Sequence, residues 1–357
     1  MNTIKNRVHE ILDGYDTSNI TIATLCSHTS LQIFHGAKKE GFRTLGIALR
    51  EPPKFYDAFP LAKPDEFLCL DDYSDIKNKL DELVEKNTII IPHGSFVEYV
   101  GPKDFKSLKI PTFGNRSVLE WESDRSMERI WLEKAGLSMP KEIKNPKDIK
   151  MPVIVKYHGA KGGRGFFIAK DYHEFERGVD RRRKYSIQEY IMGTRYYIHY
   201  FYSPIKNDGY RLSKGSLQIL GVDRRDEANI DEMYKLGSQK ELKSYGIYPS
   251  FVVTGNVPVV LRESLLPKAF AMGEKVVESS WGIMGGLKGS FCLETVVTDK
   301  LEFRVFEISA RIVAGTNVFV NSSPYADYIE GGLSMGRRIA KEIKYAAETG
   351  QLKEIIS

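Results

Sequence analysis

Three cysteines in 357 residues, Cys26, Cys69 and Cys292, are too few and too scattered for a disulfide framework, and no CxxC pair offers a zinc site. They read as reduced core residues of a cytoplasmic protein. No run approaches the roughly 18 apolar residues that a membrane span requires, and Lys5, Arg7, His9 and Glu10 stand where a signal peptide would be apolar. No membrane partner is therefore expected. Charge of one sign is scarce too: 52 basic against 47 acidic residues leaves +5, well short of a nucleic-acid-binding stripe but suited to an anionic small molecule. The densest basic run, residues 181–184, reads as a solvated face. The chain has no GxxxxGK(S/T) phosphate loop, no internal repeat and no low-complexity segment. What it does have is an apolar fraction of 42%, enough for two or three units with cores of their own.

Apolar periodicity gives the organisation. Ile4, Val8, Ile11 and Leu12 recur at helical spacing, which predicts an amphipathic helix over residues 3–12. Ile20 to Leu25 is a buried-strand run, followed by Ser27-His28-Thr29-Ser30, a helix through Leu31, Phe34 and Ala37, and a strand from Phe42 to Ala48: a βαβ unit. Polar residues between a strand's end and a helix N-terminus can hold an anion, because the helix's first N–H groups lack internal partners. A helix cap explains the same Ser/Thr cluster equally well. A strand from Glu66 to Leu70, a helix through Ile76, Leu80, Leu83 and Val84, and a strand from Thr88 to Ile91 follow. Pro92-His93-Gly94-Ser95-Phe96 then repeats the polar turn, and two such turns can converge on one ligand at the carboxyl end of an open parallel sheet.

A helix from Asp124 carries Met127, Ile130, Trp131 and Ala135 and stops at Gly136. Residues 151–170 read as a hairpin: a β-rich run ending in Lys156, a loop with Gly159, Gly162, Gly163 and Gly165 beside Lys161 and Arg164, and a second run, residues 166–169. Such a tip can fold over a polyphosphate, since glycines let backbone N–H groups approach anionic oxygens. A mobile basic hairpin is the plain alternative. After a helix over residues 172–178 come strand-like runs from Ser186 to Gly193 and from Tyr196 to Tyr202. Residues 203–247 carry little pattern, and Asp223-Arg224-Arg225-Asp226-Glu227 reads there as an exposed ion-pair surface. Phe251 to Asn256 resumes strand character, and a helix runs from about Ser264 to Ser280. The strands of residues 290–294 and 301–308 then form a pair whose register can bring Glu294 and Glu307 together. Two carboxylates with phosphate oxygens suit magnesium. Pairing of each with Arg304 or Arg311 is the structural alternative.

The helix at Asp124-Arg125, the strand ending in Lys156, the glycine-rich loop, the strand from Ile187 to Gly193 and the Glu294…Glu307 pair before Ser309-Ala310-Arg311 follow the order of the ATP-grasp superfamily. The chain resembles that superfamily over nearly its whole length. More narrowly, Ser27-His28-Thr29-Ser30, Pro92-His93-Gly94-Ser95, Asp223-Arg224-Arg225, Gly255-Asn256 and Phe306-Glu307-Ile308-Ser309-Ala310-Arg311 resemble the archaeal 5-formaminoimidazole-4-carboxamide ribonucleotide synthetases. The resemblance implies an α/β (α+β) ATP-grasp fold, with an N-terminal open parallel pre-ATP-grasp domain at 1–122. A small subdomain with the glycine-rich hairpin is implied at 123–200, and a C-terminal subdomain with the metal site at 201–357.

The implied activity is that of an ADP-forming C–N ligase that formylates 5-aminoimidazole-4-carboxamide ribonucleotide with formate and ATP in purine biosynthesis. The resemblance places His28, Ser95 and Asn256, with Ser27 and Thr29, on the ribonucleotide. Lys156, Gly159, Gly162, Gly163, Gln188, Glu189, Tyr190, Ile191 and Glu227 fall on ATP, and Glu294 and Glu307 on Mg²⁺ or Mn²⁺. Arg311, Lys156 and His28 are the catalytic candidates, and a homo-oligomer is implied. Three positions depart from the superfamily pattern. Arg125 stands for a phosphate-binding lysine, Thr194-Arg195 for a ribose-binding glutamate whose place Glu227 then takes, and Ser309 for a metal-ligating asparagine. A ligase using another acid or amine, and a non-catalytic binder of a purine precursor, are the alternatives.

Overall fold

A computed structural model describes residues 2–157, 165–228 and 252–357. Strands β1 (Thr21–Leu25), β2 (Arg43–Leu49), β3 (Glu66–Leu70) and β4 (Thr88–Ile90) form a parallel sheet in the order β3-β2-β1-β4. Near-continuous apolar runs such as residues 20–25 suit a strand buried on both faces, and β1 is buried throughout. The helices Asn2–Asp13 and Ser30–Lys39 fall where the periodicity puts them. The helix expected through Ile76 and Val84 is divided, because Asp72 caps a 3₁₀ turn over Tyr73–Asn78 before Leu80–Glu85 begins. Strand order reverses between β1 and β4, so the crevice at their carboxyl ends is the switch point of this sheet.

The expected hairpin is present as β5 (Val153–Tyr157) and β6 (Phe166–Ala169), which with β7 (Tyr185–Glu189) make an antiparallel sheet, β6-β5-β7. Its own core holds Ile143, Ile149, Val153, Val155, Ala169, Phe175 and Ile187. The larger antiparallel sheet runs β11-β10-β8-β12-β13, with β9 (Tyr210–Arg211) on β10. Its other strands are β8 (Thr194–Ser203), β10 (Ser216–Glu227), β11 (Val253–Pro258), β12 (Gly289–Val297) and β13 (Phe303–Ser309). A division at residue 200 would cut β8, which lies between β10 and β12. The helix Arg125–Lys134 packs on the helix Leu266–Met284 through Trp131, whose indole N–H reaches Ser279 Oγ at 3.1 Å. The connection over residues 190–193, between β7 and β8, is thus the boundary that strand pairing favours.

Residues 223–227 belong to β10 and are a surface only on one face: Arg224 and Asp226 are exposed, whereas Asp223 is fully buried. Of the cysteines only Cys292 is a core residue; Cys69 lies on the outward face of the edge strand β3 and is exposed. Among the described residues no helix is long and apolar enough to cross a membrane. The two central strands of the large sheet are fastened by Tyr200 on β8 and Phe291 on β12, fully buried partners stacked at 4.7 Å, with the Tyr200 hydroxyl donating to the Ala269 carbonyl at 2.8 Å. Phe291→Ala should cost about 3–5 kcal/mol, read by urea unfolding; a loss below about 1 kcal/mol would show that this stack does not hold the sheet together.

Candidate active site

Both polar turns lie at the β1/β4 switch point. Fully buried His93 is fixed by backbone: Nε2 donates to the Leu25 carbonyl at 3.1 Å, and Nδ1 accepts from the Ser95 N–H at 3.2 Å. Burial pushes its pKa down to about 3. Ser95 Oγ donates to Ser27 Oγ at 2.8 Å, and the His28 ring lies 4.8 Å from that of His93. His28 presents an exposed edge to the crevice, yet desolvation there and then the Arg311 charge hold its pKa at about 4, so it is neutral at physiological pH. Both groups rest on Gly94, where an added methyl would sit 2.8 Å from His28 Nε2 and 3.3 Å from Arg311 Nη2. The helix-cap alternative for the Ser/Thr cluster does not hold. Thr29, at φ 67°, makes no side-chain cap, and its hydroxyl donates to the His28 carbonyl.

The second half of the site lies on the large sheet. Glu294 on β12 stands directly opposite Glu307 on β13, and the register slips beside this pair because β13 carries one extra residue. Phe306 and Glu307 both reach the Lys156 ammonium arriving from β5: Nζ lies 5.7 Å from the Phe306 ring centroid. Glu307 is open to water yet enclosed by charged neighbours, and desolvation in the cleft together with the Glu294 carboxylate lifts its pKa to about 7. Burial lowers the Lys156 pKa, with Glu307 opposing the shift and Arg125 adding to it.

Neither carboxylate pairs with Arg304 or Arg311. Glu294 is held by Arg225 at 2.9 Å, Arg304 pairs with Glu302 at 3.1 Å, and Arg311 pairs with Glu122 at 2.8 Å. Glu122 also accepts the Ala310 N–H at 2.8 Å, and buried Glu128 accepts the Ile308 N–H at 2.6 Å. Two helices thus pin the backbone that follows Glu307. Burial, and Glu307 after it, raise the Glu128 pKa well above the usual range. The sequence reading missed both residues. Glu128 had a signal, since it shares the helical face of Trp131 and Leu132; Glu122 had none.

At the end of β7, Gln188 is flanked by Ile154 and Glu142, the Glu189 N–H donates to the Lys141 carbonyl at 2.8 Å, and the Tyr190 N–H to that of Pro152 at 2.9 Å. Those two N–H groups are engaged within the protein, so neither is free to donate to a ligand. Glu227 accepts from Arg195 at 2.5 Å, so the residue expected on the ribose is paired with the arginine beside the missing glutamate's place. Asn256 donates to Asp223 at 2.7 Å. Gly159, Gly162, Gly163, Lys161 and Arg164 lie outside the described residues. Among the described residues no three carboxylate, histidine or cysteine side chains already form a metal cage. The facing Glu294 and Glu307 nevertheless suit a hard cation that takes its remaining ligands from phosphate and water, because a cation there would relieve the repulsion that raises the Glu307 pKa.

The comparisons agree over both halves. Residues 22–143 match a family described as "Protein of unknown function (DUF1246)" and residues 174–357 one described as "Domain of unknown function (DUF1297)". The chain is 65% identical over 353 residues, 99% of each chain, to a 5-formaminoimidazole-4-carboxamide-1-(beta)-D-ribofuranosyl 5'-monophosphate synthetase of Methanosarcina barkeri. Among solved structures it is similar to the IMP biosynthesis protein PurP of Thermococcus kodakaraensis, at TM-score 0.73 and 29% identity over 94% of this chain and 100% of that one. The N5-carboxyaminoimidazole synthetase of Staphylococcus aureus complexed with ADP shares the fold, at TM-score 0.61 and 16% identity over 93% of this chain and 77% of that one.

His93 also makes a pH prediction. The unfolded chain binds a proton at this residue below about pH 6.5, whereas the folded protein does not until about pH 3, so His93 lowers stability as pH falls through that window. His93→Gln should flatten the decline between pH 6.5 and 4.5 in urea unfolding; an unchanged slope would contradict a neutral, backbone-locked imidazole.

Proposed function

The chain belongs to the 5-formaminoimidazole-4-carboxamide ribonucleotide synthetase family, with its ATP-grasp fold, and we propose that it joins formate to the 5-amino group of 5-aminoimidazole-4-carboxamide ribonucleotide, converting ATP to ADP and phosphate. The single observation that carries the site assignment is the meeting of Glu294, Glu307 and Lys156 in one cleft, with Arg311 leading from it to the crevice of His28 and Gly94.

Formate is a poor electrophile. Attack of one of its oxygens on the γ-phosphorus releases ADP and gives formyl phosphate. Attack of the amine nitrogen on the formyl carbon then expels phosphate, and the amine gives up a proton. Phosphoryl transfer of this kind depends on positioning and charge neutralisation. Lys156 supplies positive charge from β5 and Arg311 from the far side. Glu294 and Glu307 would hold Mg²⁺, which supplies charge neutralisation to the polyphosphate when bound. Ile191 with its neighbours and Glu227 serve the nucleoside. His28, Ser27, Thr29 and Ser95 hold the ribonucleotide with Asn256, and unprotonated His28 is in the form that accepts a hydrogen bond or the amine's proton. A cytoplasmic location and a homo-oligomer belong to the same proposal and rest on family membership.

The direct assay omits ATP, Mg²⁺, formate and ribonucleotide in turn while following ADP and formylated product. All four should be required; ADP release indifferent to formate, or turnover with another acid in its place, would overturn the reaction. Glu307→Gln should lower turnover at least about 10²-fold while the ribonucleotide still binds by calorimetry. Unchanged turnover would remove Glu307 from the site.

A further inference from the structure

β10 carries one carboxylate into the interior with both oxygens used. Asp223 Oδ1 receives His199 Nε2 at 2.6 Å, and Oδ2 receives Asn256 Nδ2 at 2.7 Å. Asp223 and His199 are buried, whereas Asn256, on the edge strand β11, is half-exposed and lies opposite Arg225, the partner of Glu294. Gly315 packs so closely that an added methyl would sit 2.4 Å from Asp223 Oδ1. The same turn is tied to the first crevice, since the Gln32 amide donates to Thr316 Oγ1 at 2.5 Å and Asn317 Oδ1 at 2.8 Å. A chain of contacts therefore runs from the Ser27–Ser30 turn to Asn256.

An asparagine amide is a donor at one end and an acceptor at the other in nearly the same shape, so its orientation is a matter of partners. Facing Asp223 Oδ2 as an acceptor, it must offer its nitrogen. The opposite orientation would set two acceptors 2.7 Å apart. His199 closes the other escape: its Nδ1 is buried without a partner, so moving the ring proton there would strand an N–H.

We propose that Asp223, anchored by His199, is a positioning residue that fixes the Asn256 amide with its carbonyl oxygen toward the ribonucleotide, where that oxygen accepts a hydrogen bond from a substrate N–H or O–H. This rests on the reading that Asn256 touches the ribonucleotide. The rest of the site offers that ligand mainly hydroxyls and cations, so a fixed acceptor adds discrimination against a ribonucleotide lacking the donor.

Isosteric exchange tests the assignment. In Asp223→Asn the new amide must turn its oxygen to His199 and its nitrogen to Asn256, which inverts Asn256 and points a donor at the substrate. KM for the ribonucleotide should rise roughly 10-fold to 100-fold, with KM for ATP unchanged. In the exchange D223N/N256D, one oxygen of the carboxylate now at position 256 accepts from position 223 while the other faces the substrate as an acceptor, so KM should return toward the parent value. With a substrate analogue lacking both ribose hydroxyls, persistence of the D223N effect assigns the donor to an N–H, and its disappearance assigns it to a ribose hydroxyl. Asn256→Ala separates the two layers of the reading. An unchanged ribonucleotide KM in that variant would remove Asn256 from the substrate. A raised KM there, with a normal one in D223N or no recovery in the exchange, would overturn the orienting role of Asp223.

Discussion

Two carboxylates directly opposite each other in one antiparallel ladder repel, and the arrangement persists only if positive charge reaches both. Glu294 and Glu307 stand in that relation, and much of the large sheet's layout answers to it. Arg225 arrives from β10 and Lys156 from the small sheet across the cleft. Glu122 and Glu128 clamp the backbone after Glu307, so the bulge that presents Phe306 and Glu307 together is held from behind.

The other organising feature is the joint between the parallel sheet and this cleft. Ile312 bridges to His93 beside β4, and Arg311, one residue earlier, is held by Glu122 while its guanidinium reaches Gly94 and His28. One short segment therefore fixes the distance between a crevice suited to a small anionic ligand and a cleft suited to phosphates. That proximity is what a ligase needs if an acyl phosphate made on one side is to meet an amine held on the other.

Much of this was legible in the sequence, for physical reasons that differ from place to place. Apolar runs and their period gave β1 to β4, the β5/β6 hairpin and the helix from Arg125. A hairpin-compatible spacing gave the facing glutamates. β10 escaped because its second half, Asp223 to Glu227, is as polar as a surface loop. Its charges are answered by residues distant in sequence: Arg225 by Glu294, Asp223 by His199 and Asn256, Glu227 by Arg195. Periodicity reads which face of an element is apolar; it does not see a buried charge whose partner comes from another strand. Arg311 was read as a site residue, yet its partner Glu122 lies far back along the chain on the helix Ser117–Ser123 and left no local mark. Strand pairing is likewise invisible to periodicity: the N–H groups of Glu189 and Tyr190 are engaged by Lys141 and Pro152, residues far back along the chain.

The central claim is chemical: the cleft activates a carboxylate by phosphorylation before the amine attacks. If so, one oxygen of formate leaves on phosphorus. Turnover with oxygen-18-labelled formate, followed by mass spectrometry of the released phosphate, measures this directly. Each phosphate formed should carry one labelled oxygen. Phosphate free of label alongside formylated product would contradict it.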